Sequence, residues 1–289
     1  MICIYHSRDL DGWMSAAIVK LKYPDVVLIG WDYGQPIPDW EKEIDGHKVV
    51  MVDISLPSEE MIRYHKFNDL IWIDHHISAI KANTEINVGK VVFKGLTDAK
   101  FAACELTWQY LFPNESMPEL VRLLGRYDCF GHKGTKEEQK VLEFQYGARQ
   151  AISNVDEAYK MLVIARGRGD WSMDSDLCDD ILFQGQAIYK YVCSEAQQIY
   201  KRKFDIILDG YRFSCVNQER FNPINFGINY HNEGYDGFAC FYYVNGKWLF
   251  NLYNDNGSVD CSIIAKNRGG GGHKGASGFI TDNIGFLSL

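Results

Sequence analysis

Three apolar runs near the start of the chain end in acidic residues and histidines. Ile71-Trp72-Ile73 empties into Asp74-His75-His76. Ile2-Cys3-Ile4-Tyr5 ends in His6-Ser7-Arg8-Asp9-Leu10-Asp11-Gly12, and Val49-Val50-Met51-Val52 ends in Asp53-Ile54-Ser55. One such ending reads as an ordinary polar turn; three alike read as a site. In a parallel sheet the strands' C-terminal ends share one edge, where open α/β folds place their ligands. Asp9, Asp11, Asp53 and Asp74 then crowd with His6, His75 and His76. Bare carboxylates that close repel one another and take up protons, and divalent cations relieve the repulsion. Asp and His without cysteine suit Mn²⁺ or Mg²⁺ better than a structural zinc. Ser55 and Ser78 lie near these endings but have no evident general-base triad around them.

A second candidate is Arg268-Gly269-Gly270-Gly271-Gly272-His273-Lys274-Gly275-Ala276-Ser277-Gly278. Consecutive glycines let backbone N–H groups turn towards an anion. Arg268, His273 and Lys274 flank them with cations. A flexible turn before a last strand at Phe279-Ile280 is the plainer reading, and a metal site upstream tips the balance towards phosphate.

The elements that must position these residues follow from periodicity. Strands are expected at 1–5, 26–31, 48–52 and 70–73, with helices at 12–22 and from Pro57 to about Phe67. Strand, helix, strand, strand, helix, strand implies right-handed crossovers and a mostly parallel sheet. From Lys100 the pattern turns helical, with helices expected at 102–111, 118–127, 136–149 and 155–166. The stretch 175–203 reads as one long connecting helix. Beyond it the chain alternates and is aromatic, and Asn245-Gly246 is a two-residue hairpin signal. A short helix is expected at 260–267. The fold class is therefore α/β: a catalytic domain over 1–174, a helical connector over 175–203, and a smaller mixed α/β domain over 204–289.

The chain has 289 residues, 46% hydrophobic, with a formal net charge of −8. That supports a real core and disfavours binding to long duplex nucleic acid, which wants a basic face. The eight cysteines include no CxxC pair and read as reduced core thiols of a cytoplasmic protein. No signal peptide or membrane span is visible.

Taken together, five motifs resemble the DHH phosphoesterase superfamily, of the nanoRNase-like subtype with a glycine-rich, DHH-associated C-terminal domain. They are His6-Ser7-Arg8-Asp9-Leu10-Asp11-Gly12, Val52-Asp53-Ile54-Ser55, Asp74-His75-His76, Tyr127-Asp128 and Gly270-Gly271-Gly272-His273. The resemblance implies two divalent ions, Mn²⁺ in first place, with Mg²⁺ or Co²⁺ as alternatives. It implies one ion held by His6, Asp9 and Asp53, the other by Asp11, Asp53, His75 and Asp128, with Asp53 bridging. His76 and Asp74 would orient ligands or touch the scissile phosphate. Arg268, Gly270, Gly271, Gly272 and His273 would bind substrate phosphate. Many members have three residues between the histidine and the first aspartate; here only Ser7 and Arg8 intervene, a shortening that would draw His6 aside.

Relatives with a basic Ser-Arg-Lys-Lys motif, an added OB-fold or transmembrane helices do not fit this chain. The expected function is a metal-dependent phosphodiesterase for short oligoribonucleotides or linear dinucleotides. The alternatives are a phosphatase for 3′,5′-bisphosphonucleotide or polyphosphate, or an inactive nucleotide-binding module. The expected partner is a short RNA or small nucleotide, with no membrane, and the oligomeric state stays open, a dimer included.

Overall fold

The computed structural model describes residues 1–37, 46–86 and 91–285. The chain divides into two compact units, Met1–Tyr189 and Lys190–Leu289.

The first unit is built on five parallel strands: β1 (Ile2–His6), β2 (Val27–Trp31), β3 (Lys48–Val52), β4 (Asp69–Asp74) and β5 (Lys94–Thr97). Their order is β2-β1-β3-β4-β5. The chain leaves β1 towards opposite sides, so a switch point lies between the C-terminal ends of β1 and β3, where such sheets form a crevice. The inner strands are apolar on both faces because both are covered. Alternate residues go to separate cores. Cys3, Val50, Val52, Ile71 and Ile73 pack with Met14, Ala17 and Ile18 of α1 (Leu10–Lys22). Ile2, Ile4, Val49, Met51 and Trp72 pack with Met61 and Tyr64 of α2 (Ser58–Phe67).

Helix α1 begins two residues before the expected Gly12. Asp9 caps it, its Oδ1 accepting from the Gly12 N–H at 3.0 Å, and Asp11 therefore falls in the first turn. Helix α3 (Ile77–Ile86) and strand β5 were not legible from periodicity. Gly95 of β5 reads as a breaker, yet the fold requires it. Its φ is +129°, and a Cβ there would lie 1.9 Å from the Trp72 carbonyl oxygen. Helices α4 (Ala103–Leu111), α5 (Glu119–Asp128), α6 (Glu138–Ala151) and α7 (Val155–Arg166) come as the spacing predicts, and α8 (Asp174–Tyr200) carries the boundary between the units. Among the described residues no helix is long and apolar enough to cross a membrane.

The second unit holds a six-stranded mixed sheet in the order β10-β11-β9-β8-β7-β6. Its strands are β6 (Phe204–Leu208), β7 (Tyr211–Asn217), β8 (Gly237–Val244), β9 (Lys247–Tyr253), β10 (Gly271–Gly272) and β11 (Ala276–Thr281). Strands β7 and β8 run parallel and the other pairs antiparallel. Asn245 and Gly246 take φ of 50° and 81°, as a tight hairpin between β8 and β9 needs. Phe250 stacks between Phe241 and Phe279 at 5.0 and 4.8 Å, which fixes the middle of the sheet. Helix α9 (Cys261–Lys266) precedes the glycine run. The α/β class, with a parallel sheet first and a mixed sheet second, is as expected.

Candidate metal centre

The endings of β1, β3 and β4 converge. His6 closes β1, and its Nδ1 lies 3.0 Å from Asp9 Oδ2 and 3.3 Å from Asp53 Oδ2. The short Ser7-Arg8 loop thus leaves His6 within reach of both carboxylates. Gly12 makes this possible: a Cβ there would sit 1.9 Å from the His6 carbonyl oxygen. Asp9 divides its work, capping α1 with Oδ1 and facing His6 with Oδ2.

His75 gathers the second group. Its Nε2 lies 3.3 Å from Asp53 Oδ1, 3.3 Å from Asp128 Oδ2 and 3.6 Å from Asp11 Oδ2. Asp128 ends α5. Asp11 is buried and accepts the Ala103 and Cys104 N–H groups, at 2.8 and 2.7 Å, at the start of α4. These donors orient the carboxylate and favour its charge.

Asp53 stands between the groups. It comes directly after β3 with a left-handed φ of 58°, and its N–H donates to the Ile73 carbonyl at 3.0 Å. A non-glycine residue held there costs about 1–3 kcal/mol and marks a site whose surroundings over-determine it. Its Oδ1 is buried, faces His75 and forms no hydrogen bond. Three sets of ligand atoms come within 4.8 Å of one another: His6, Asp9 and Asp53; Asp11, His75 and Asp128; and Asp53, His75 and His76.

The protonation states express the crowding. Burial, then the neighbouring Asp53 charge, pushes Asp11 up to about 7, and burial, then Asp11, does the same to Asp128. Burial also raises Asp53. Burial pulls His6 down, but the Asp53 and Asp9 carboxylates outweigh it and hold His6 at about 11. His75 is held at about 10 by Asp53, Asp11 and Asp128 against the same pull. Protons are doing what cations do better: the carboxylates of Asp9, Asp11, Asp53 and Asp128 match the charge of two divalent ions. With the orphaned Asp53 oxygen and an Asp/His donor set, the residues fit such ions.

Asp74 lies beside the centre. Its buried Oδ1 accepts the His75 and His76 N–H groups at 2.7 and 3.1 Å and pairs with His76 Nδ1 at 2.7 Å. The pairing fixes which ring nitrogen of His76 faces outward and, against burial, raises its pKa. Two neighbours escaped the sequence reading. Asp32 Oδ1 lies 3.3 Å from His6 Nε2, while Arg8 holds its Oδ2 at 3.0 Å. The Tyr33 ring lies 6.1 Å from both His6 and His76. A signal for Asp32 existed, since the β2 run also ends in an acidic residue.

The glycine run, in the second unit, is more structured than its composition implies. The N–H groups of Gly269, Gly270 and His273 donate to the Lys266, Ala265 and Ala276 carbonyls. Gly271 and Gly272 pair with Gly278 and Ser277. Arg268 gives Nη2 to Asp209 at 2.7 Å and Nη1 to the Ile264 carbonyl at 2.9 Å, so it braces its own unit. His273 and Lys274 are exposed.

Residues 1–124 match the family model described as DHH family, N-terminal domain. The match covers the stretch that holds β1 to β5 and α1 to α4. The matched stretch holds every candidate ligand except Asp128, which lies just beyond it. An uncharacterized protein of Acanthamoeba polyphaga mimivirus is 22% identical over 321 residues, covering 98% of this chain and 68% of that protein. Two solved structures share the fold. One is described as the DHH domain of a member of a family of ribosomal proteins, with TM-score 0.56, 16% identity, and coverage of 97% of this chain and 82% of that one. The other is an exopolyphosphatase-related protein from Bacteroides fragilis, with TM-score 0.53, 12% identity, and coverage of 98% and 87%. At these identities they speak for the fold alone and not for a substrate.

Proposed function

We propose that this DHH-domain protein hydrolyses the phosphodiester bonds of short oligoribonucleotides or linear dinucleotides, using two divalent cations, Mn²⁺ in first place. The observation that carries this reading is Asp53, strained, buried and orphaned between two groups of ligand atoms. When bound, such cations supply Lewis acidity towards an attacking water and a phosphoryl oxygen. The chain's own residues do the rest. Asp53 and His75 hold the two ligand groups in register. His76, fixed through Nδ1 by Asp74, presents Nε2–H to a phosphoryl oxygen when protonated. Groove volume is at hand: about 640 Å³ opens beside His76, lined by Tyr33, Ser55 and Ser78 among others.

The test is release of nucleoside monophosphates from a dinucleotide, with and without Mn²⁺, run beside a 3′,5′-bisphosphonucleotide and polyphosphate. Mn²⁺-dependent cleavage of the dinucleotide is expected. Phosphate release from the other two alone would transfer the site to a phosphatase, and no turnover at all would leave a nucleotide-binding module.

Asp74→Asn keeps the shape and removes the charge. The His76 pKa should fall and kcat drop about 10–100-fold, as for other residues that orient a site from behind. The alkaline side of the pH–rate profile should shift down with it. A lower kcat with an unmoved profile would show that Asp74 acts only as a turn cap.

The glycine run offers a cleaner test than its composition suggests. A Cβ at Gly270 would lie 2.1 Å from the Gly278 carbonyl oxygen, and one at Gly272, where φ is +136°, 2.6 Å from Ser277 Cα. At Gly271 a Cβ meets nothing within 4 Å. The fold needs the first two glycines and not the third. Gly271→Val is therefore expected to melt within a few degrees of wild type while losing about tenfold or more in kcat/KM on a dinucleotide. Wild-type kcat/KM in that variant would remove the run from the substrate site.

A further inference from the structure

The two carboxylates that face His6 are fixed by backbone. The Gly12 N–H holds Asp9, and the left-handed turn after β3 holds Asp53. His6 is a different case. An imidazole at a strand end turns about its Cβ–Cγ bond unless its far nitrogen is tied, and a ring that turns away takes its donor atom with it.

The far nitrogen is tied. Nδ1 faces Asp9 and Asp53 at 3.0 and 3.3 Å, and Nε2, across the ring, lies 3.3 Å from Asp32 Oδ1. The His6 and Asp32 side chains are each 13% exposed, so water competes little for the contact. The sheet itself delivers Asp32. Strands β1 and β2 run parallel with His6 opposite Trp31, and the Ser7 N–H donates to the Trp31 carbonyl at 3.1 Å. Asp32 is the residue that follows. Its N–H donates to Gln35 Oε1 at 3.2 Å, and its Oδ2 meets Arg8 Nη1 at 3.0 Å. The Arg8 side chain is 58% exposed, where an ion pair contributes little. Register and burial, more than Arg8, set the position of Asp32.

Asp32 is not itself one of the converging ligands. Among the described residues it joins none of the three sets of ligand atoms, so its route to the centre runs through the imidazole. A carboxylate that accepts from one ring nitrogen fixes the tautomer, stops the ring from turning and makes the other nitrogen a stronger donor to a cation. Here that tautomer keeps its hydrogen on Nε2 and leaves the Nδ1 lone pair for a metal.

We propose that Asp32 is a positioning residue of the centre: by accepting His6 Nε2–H it aims Nδ1 at the cation that Asp9 and Asp53 would hold with it. This deepens the two-cation reading and rests on it. The affinity of one cation site, and not of the other, then depends on a side chain that touches neither cation nor substrate.

The experiment titrates Mn²⁺ calorimetrically into metal-free wild type, Asp32→Ala, Asp32→Asn and Arg8→Ala, with thermal unfolding of each metal-free protein alongside. Wild type should take up two ions. In Asp32→Ala one of them should bind about 10–100-fold more weakly, the scale on which loss of a ligand's own partner costs metal affinity. The other should keep its wild-type affinity. Asp32→Asn retains an oxygen that accepts Nε2–H and lacks the charge, so it should restore part of the loss. Arg8→Ala should stay within about threefold of wild type. A folded Asp32→Ala protein that binds both ions as wild type does would overturn the assignment. Equal weakening at both sites would overturn it too, since a brace for the whole loop acts on both. Should Asp32→Ala not fold, Asp32→Asn decides: weakening of one site alone by about threefold or more supports the assignment, and two wild-type affinities overturn it. The titration involves no substrate. A dinucleotide left uncut by a wild type whose Mn²⁺ binding answers to Asp32 in this way refutes the phosphodiesterase reading and leaves the positioning role standing.

Discussion

Asp53→Asn is expected to lose about three orders of magnitude or more in Mn²⁺-supported turnover of a dinucleotide, because a route through bound cations has no metal-free substitute. Asn is the right replacement. Position 53 has a left-handed φ, which Asn tolerates better than Ala, so the backbone is left alone. A second readout is stability. The wild-type carboxylate is buried and lies 3.3 Å from both His6 and His75, whose charge it supports. Removing its charge leaves two protonated histidines short of a counter-charge, so the metal-free protein should be less stable than wild type. The rise in Tm that Mn²⁺ gives the wild type should vanish, since that rise comes from binding to the folded state alone. Activity within tenfold of wild type in a folded Asp53→Asn protein would remove Asp53 from the centre.

Affinity for Mn²⁺ should climb steeply with pH, by at least about tenfold per unit between pH 6 and 8. His6, held at about 11, and His75, held at about 10, both carry protons throughout that window in the metal-free protein. Asp11 and Asp128, raised to about 7, lose theirs across it. A cation needs all four deprotonated, so protons compete with it and the competition weakens as pH rises. Calorimetry in buffers of different ionisation enthalpy should show more than one proton released per protein on saturation. The metal-free fold has the complementary dependence. Asp11 and Asp128 have folded pKa values above their unfolded ones, so the folded state binds more protons, and stability falls as pH rises from about 4 through 7. Binding that neither releases protons nor varies with pH would mean that these groups are not the ligands.

The parallel sheet and the convergence of its strand ends were legible because the inner strands are apolar on both faces and their polar endings stand out. Val49–Val52 and Leu70–Ile73 leave the helical alternative little room, and the polar residues after each run must lie at one edge. Local backbone geometry was not legible. Nothing in the residue types announces that Asp53 turns left-handed or that Asp9 starts α1 early. Strand β5 stayed hidden because Gly95, needed for close approach to Trp72, looks like a break. The glycine run read as an open anion cradle because composition does not say where N–H groups go; several go to neighbouring carbonyls. Arg268 looked available for phosphate because Asp209, its partner, is distant in sequence.

Anomalous diffraction from crystals grown with Mn²⁺, recorded at the manganese edge, addresses the central claim most directly. The account predicts two peaks about 4 Å apart, with the Asp53 carboxylate between them. One should lie against His6 and Asp9, the other against Asp11, His75 and Asp128. A single peak, or two peaks that do not share Asp53, would contradict it.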